Sequence, residues 1–160
     1  MKSRKIVLSF EKAKEWFKGS DQSLKTLALE TYPELNQKIT DRIKTFDDVL
    51  SELKITPEAF EVVRNTLNVE GFKHLFAQWK VEQIAKALNE GWEPNWDDSN
   101  EYKYYPWFDM RSSGGGFSFD VVVCGDACSR VGSRLCLKSR ELSNYAATQF
   151  KDIYEQMFKG

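Results

Sequence analysis

The chain predicts an α+β fold: a helical N-terminal two-thirds, then a three-stranded antiparallel β-meander and a C-terminal amphipathic helix. Apolar residues recur at helical spacing through residues 10–89, with capping residues and glycine or proline stops between the runs. Residues 101–137 are instead rich in Tyr, Trp, Phe and Val and are broken by a Ser-Ser-Gly-Gly-Gly stretch, which favours strands joined by a turn. Beyond them Leu142, Ala146, Phe150, Ile153 and Met157 follow the i, i+4, i+7 rule of a half-buried helix. At 160 residues the chain fits one domain, with the helical part over about 1–91 and the meander plus helix over about 92–160.

In chain order, residues 5–10 have the β-branched content of a short strand that can join the sheet edge. Phe10, Ala13, Trp16 and Phe17 mark a helix that Gly19 stops, and Asp21 caps a second helix over 22–31, ended by Tyr32-Pro33. Thr45 stands three residues before Asp48, a capping box for a helix over 46–53. Thr56-Pro57-Glu58 opens another that runs to about residue 67. Residues 69–89 form the longest helix; its apolar stripe changes phase after Trp79, so it packs on more than one side, and Gly91 ends it. Strands are expected over 101–110, 117–124 and 133–137, and Ser139 caps one continuous helix to about residue 158. The likeliest seam between the two parts lies at residues 92–100.

Seven aromatic side chains fall within residues 92–108, threaded and bordered by Glu93, Asp97, Asp98, Glu101 and Asp109. Formal net charge is −1 overall, yet residues 91–120 hold 2 basic against 6 acidic groups. Phosphates would be repelled there, so nucleic acid is disfavoured as a partner, and a protein is the preferred one. The segment fills space between the helical part and the meander, and it also offers an edge for recognition. Trp92, Trp96, Tyr102, Tyr104, Tyr105 and Trp107 are the candidate contact residues, because Trp and Tyr dominate interface hot spots and suit saccharides when mixed with acids. Arg134 and Arg140, with Lys138, flank the helix start at Ser139, where backbone N–H groups favour an anion. A small enzyme acting on an anionic or saccharide ligand would hold it between the aromatic edge and Arg134, and a deep pocket joining the two would mark that alternative.

Other motifs fall short of chemistry. Cys124, Cys128 and Cys136 are spaced x₃ and x₇, and the one histidine, His74, lies far upstream, so neither a zinc set nor a cysteine–histidine pair is complete. Gly114-Gly-Gly116 is followed by no Lys-Ser/Thr and reads as a hairpin loop. Residues 49–67 have the outline of a helix-turn-helix, but Glu58 and Glu61 would face the phosphates, and a helical hairpin in the core is the better reading. No catalytic residue, metal or cofactor is assigned. No run is long and apolar enough for a membrane span, no leader is evident, and the odd number of cysteines fits reduced thiols in the cytoplasm.

The strings Ala87-Leu-Asn-Glu-Gly-Trp92, Tyr102-Lys-Tyr-Tyr-Pro-Trp-Phe108 and Gly132-Ser-Arg-Leu-Cys-Leu-Lys-Ser-Arg-Glu-Leu142 occur together with Ala13-Lys-Glu-Trp16 and Tyr32-Pro-Glu34. In this the chain resembles a group of uncharacterised bacterial proteins, many of them phage- or mobile-element-associated. The resemblance covers about half of the chain. It implies genomic company and carries over no functional residue. The expected function is a non-catalytic intracellular interaction or accessory module; the alternatives are a nucleic-acid-binding accessory protein or the small ligand-binding enzyme described above.

Overall fold

The computed structural model describes residues 8–111, 116–126 and 132–160 and divides the chain into two compact units, 1–41 and 42–160. The seam expected at residues 92–100 lies inside the second unit. In the first unit the Ser9 hydroxyl accepts from Lys12 N at 3.3 Å and opens α1 (Phe10–Lys18). The expected strand over 5–10 falls partly outside the described residues; Ser9 and Phe10 themselves begin the helix. Asp21 accepts from Ser23 N and Leu24 N to cap α2 (Gln22–Thr31), which packs on α1 with Ala13 and Ala28 buried. Phe10 meets Tyr32 edge-on at 5.3 Å, and the Tyr32 hydroxyl donates to the Leu8 carbonyl at 2.7 Å. The short α3 (Ile39–Arg42) follows.

The second unit opens on the capping box of α4 (Phe46–Glu52). Asp48 N donates to the Thr45 hydroxyl, and the Asp48 carboxylate accepts from Thr45 N and Lys44 N. Lys54 takes a left-handed conformation (φ 56°) in the turn to α5 (Pro57–Leu67), which Thr56 caps. Both helices pack on α6 (Lys73–Asn89), where Phe46, Phe60, Phe76 and Trp79 bring their rings together at 5.9–6.1 Å. Past Trp79 the buried row becomes Val81, Ile84, Ala85 and Leu88, and this half of α6 faces other neighbours.

The sheet has two strands, β1 (Lys103–Asp109) and β2 (Ser118–Gly125), antiparallel with Tyr105 opposite Val123 and Trp107 opposite Val121. The expected third strand is corrected. Residues Ser133–Leu135 form a 3₁₀ turn, and only Leu137 pairs with β1, exchanging two backbone hydrogen bonds with Tyr104 at 2.9 and 3.0 Å. The next such pair along that edge would match Leu135 with Pro106, which has no N–H to give. The Asn89 side chain takes what remains: its amide nitrogen donates to the Cys136 carbonyl at 2.9 Å, and its oxygen accepts from Lys138 N at 3.0 Å.

The single C-terminal helix is corrected as well. It breaks at buried Phe150 (φ −115°, ψ 28°) into α7 (Arg140–Gln149) and α8 (Lys151–Lys159). α7 lies across β1 and β2, whereas α8 runs along α6, and one straight rod could not serve both surfaces. Phe108 anchors the junction, with ring centroids 4.7 Å from Phe117 and 4.9 Å from Tyr154. From the second half of α7, Tyr145 donates to the Ile43 carbonyl and Gln149 to that of Lys44 at 2.7 Å. Among the described residues no helix is long and apolar enough to cross a membrane.

Candidate functional site

A buried lysine organises the aromatic segment. Lys103, at the start of β1, is 0 % exposed, yet its ammonium is well satisfied. It donates to the carbonyls of Asn95, Asp98 (3.3 Å) and Glu101 (2.7 Å) and lies 3.2 Å from the Glu101 carboxylate. A buried charge is tolerable only with such partners, and these tie residues 95–103 into one compact turn. The same ammonium sits 5.4 Å from the centre of the Trp96 ring, covering one face. Glu101 in turn accepts from Asn95 N at 2.7 Å and from the Trp92 indole N–H at 3.3 Å. The Asn95 N–H, then Lys103 and Trp92, hold its carboxyl below the ordinary range against the opposing effect of desolvation. One ion pair therefore fixes the orientation of two tryptophans.

Both half-buried rings wall a cleft of about 510 Å³, within the size range of small-molecule sites. Its floor is the face of α6 that carries Glu82, Gln83, Lys86 and Asn89; Glu93 and Pro94 form one rim and Arg134, from the 3₁₀ turn, the other. Glu82, Lys86 and Asn89 share that face because they recur at i, i+4, i+7. Arg134 is held only loosely, 3.9 Å from Glu82, and its side chain is 78 % exposed. Asn89 is consumed by the backbone of 136–138, so it shapes the cleft without being available to a ligand.

Of the sequence-predicted contact residues, the cleft unites Trp92, Trp96 and Arg134. The remainder go elsewhere. Tyr105 is buried at 5 % exposure, because it alternates inward with Lys103 along β1. Tyr104 lies half-buried beneath the Arg140 guanidinium, 5.8 Å from its ring centre. Arg140 also donates to the Val122 carbonyl at 3.0 Å, and Lys138 pairs with Glu90 at 3.2 Å, so the helix start at Ser139 does not gather three uncommitted cations. Ser139 itself caps α7 through Leu142 N. Tyr102 is exposed at 54 %. Trp107, also exposed, belongs to a second depression of about 600 Å³ with Met110, Arg111 and Phe158.

Cys128 lies outside the described residues, as do Gly114 and Gly115 of the glycine run. Cys124 is exposed; Cys136 is buried, and that burial pushes its thiol up to about 11. His74 is exposed near the start of α6. Among the described residues no three His, Cys, Asp or Glu side chains converge as metal ligands.

No protein-family model, curated protein or solved structure matches the chain. The residues that sequence reasoning missed are Glu82, Gln83 and Lys86 on α6, and Glu101 and Lys103 as organisers of the loop. A signal existed for the first three: the polar row opposite Val81, Ile84 and Leu88 continues along the part of the helix where the apolar stripe has changed phase. For Lys103 there was none, since one lysine among acids reads as a surface charge.

Proposed function

We propose that the chain is a non-catalytic recognition module whose binding site is the cleft between Trp92, Trp96, Lys86 and Arg134. The observation that carries this reading is convergence. The end of α6 and the loop that follows it, residues 82–96, meet Arg134 from the distant 3₁₀ turn on one cavity, and the Glu101–Lys103 pair contacts both indoles. Preorganised aromatic walls reduce the entropy lost on binding. Glu82 is engaged by Gln78 and Arg134, and Glu93 stands on the exposed rim, an arrangement suited to holding a ligand rather than turning it over. The acidic loop beside the cleft counts against nucleic acid. An exposed Cys124 thiol accords with a reducing, cytoplasmic setting, and the resemblance to phage- and mobile-element-associated proteins suggests the genomic context in which the module acts.

Docking of a protein partner is the second reading, and it has its own observation. Trp107, Met110 and Phe158 are each about half exposed around the second depression, and the similarly exposed Val121 pairs with Trp107 across the two strands. The two readings separate in one experiment. Ligand-observed NMR with a mixed small-molecule library, on wild type, Trp96→Ala and Trp107→Ala, is expected to give binders that Trp96→Ala loses and Trp107→Ala keeps. Binders that survive Trp96→Ala, or a library in which wild type finds no binder, would contradict the cleft as the site.

A further inference from the structure

From the composition of the cleft we infer that its ligand is an uncharged saccharide; this rests on the cleft being the binding site and names what fills it. Charge decides first. The ionisable lining is Glu82 and Glu93 against Lys86 and Arg134, a balance of zero, and the adjoining turn adds Asp97, Asp98 and Glu101 against Lys103. A phosphate group, carrying about −1.5 to −2 charges near neutral pH, would enter a neutral cleft with an acidic border. A quaternary ammonium or alkylated amine meets the opposite obstacle. Lys86 and Arg134 would repel it, and one face of Trp96 already holds the Lys103 ammonium at 5.4 Å. A purely apolar ligand would strip water from four charged groups and return no hydrogen bond to them.

A sugar ring satisfies all of these groups at once. Each hydroxyl both donates and accepts, so neighbouring hydroxyls can give to Glu82 and Glu93 and take from Lys86, Arg134 and Gln83. The apolar face of the ring lies against one of the two indoles, the large flat surfaces that the cleft offers. Lys86 and Arg134 stand ready for that role, Lys86 exposed and Arg134, among the described residues, only 3.9 Å from Glu82 as an ion-pair partner.

The test titrates the full ¹⁵N-labelled chain separately with neutral glucose and N-acetylglucosamine oligomers, glucose 6-phosphate and inorganic phosphate, following the five indole N–H resonances. A neutral oligomer is expected to shift Trp92 and Trp96, with an affinity that added salt leaves nearly unchanged. Trp96→Ala should weaken that binding by about tenfold or more. Arg134 is so exposed that Arg134→Ala should keep the thermal midpoint while weakening the saccharide severalfold, so the test survives a Trp96 variant that fails to fold. Shifts at Trp92 and Trp96 with the phosphorylated probes alone would overturn the saccharide assignment and leave the cleft standing. Saccharide shifts that avoid both indoles would overturn the cleft itself, and silence from every probe at millimolar concentration would overturn the saccharide. Release of new reducing ends would show turnover and contradict the non-catalytic reading alone.

Discussion

Lys103 does at the residue scale what a metal ion does in other loops: it gathers carbonyl oxygens around one positive charge. Lys103→Met keeps an unbranched stem and removes the ammonium, taking from the carbonyls of Asn95 and Glu101 the donor that Lys103 supplies. Unsatisfied buried acceptors cost about 1–3 kcal/mol each, so a loss in that range is expected by chemical denaturation. The Trp92 and Trp96 indole resonances should also broaden or move, which a purely global destabilisation would not do selectively. Tyr154 offers the converse case. Its hydroxyl is fully buried and has no hydrogen-bond partner among the described residues, and burial drives its pKa upward. Tyr154→Phe deletes the orphaned group while keeping the ring against Phe108. The variant should be at least as stable as wild type by thermal melting; a clear loss would mean that the hydroxyl has a partner.

At the scale of elements, Asn89 joins α6 to the segment beside β1 through both halves of its amide. Asn89→Ala removes the hydrogen bonds that tie the Cys136 carbonyl and the Lys138 N–H to α6 and should cost about 1–3 kcal/mol, read from the denaturant midpoint. Asn89 also shows why the third strand was misread from sequence. The pattern at 133–137 alternates well enough for a strand, but pairing depends on what the neighbouring edge can donate, and Pro106 blocks it there. By contrast the caps at Asp21, Thr45, Thr56 and Ser139 are local chemistry, complete within three or four residues, and each was legible and is found forming its hydrogen bond. The break at Phe150 was not legible, because the stripe from Leu142 to Met157 suits one helix or two equally well. Only the positions of the sheet and α6 distinguish them. The cleft was half visible: Trp92, Trp96 and Arg134 announce themselves by residue type, whereas Lys86 acquires meaning from what packs beside it.

For the whole molecule, depressed carboxyls set the response to acid, Asp48 and Glu101 among them. Backbone N–H groups of Lys44, then Thr45, hold Asp48 below its ordinary 3.8, and the Asn95 N–H, then Lys103 and Trp92, hold Glu101 below 4.5. A carboxyl lowered on folding stabilises above its unfolded value and loses that contribution as pH falls through the folded one. Stability should therefore stay level from pH 7 to about 5 and decline below the ordinary carboxyl range, with the Trp92 and Trp96 signals moving in the same window as Glu101 takes its proton. Asp109, held at about 2 chiefly by side-chain hydrogen bonds from Arg111, adds little, because the Arg111 side chain is 79 % exposed and water screens the pair. The integrity of the 95–103 turn is thus coupled to a single ion pair.

The most direct measurement compares binding of neutral oligosaccharides to wild type, Trp96→Ala and Trp107→Ala by isothermal titration, with circular dichroism confirming that all three are folded. Binding by wild type and Trp107→Ala, with loss in folded Trp96→Ala, is the predicted result. Retention in folded Trp96→Ala with loss in folded Trp107→Ala would move recognition to the second depression and contradict the cleft.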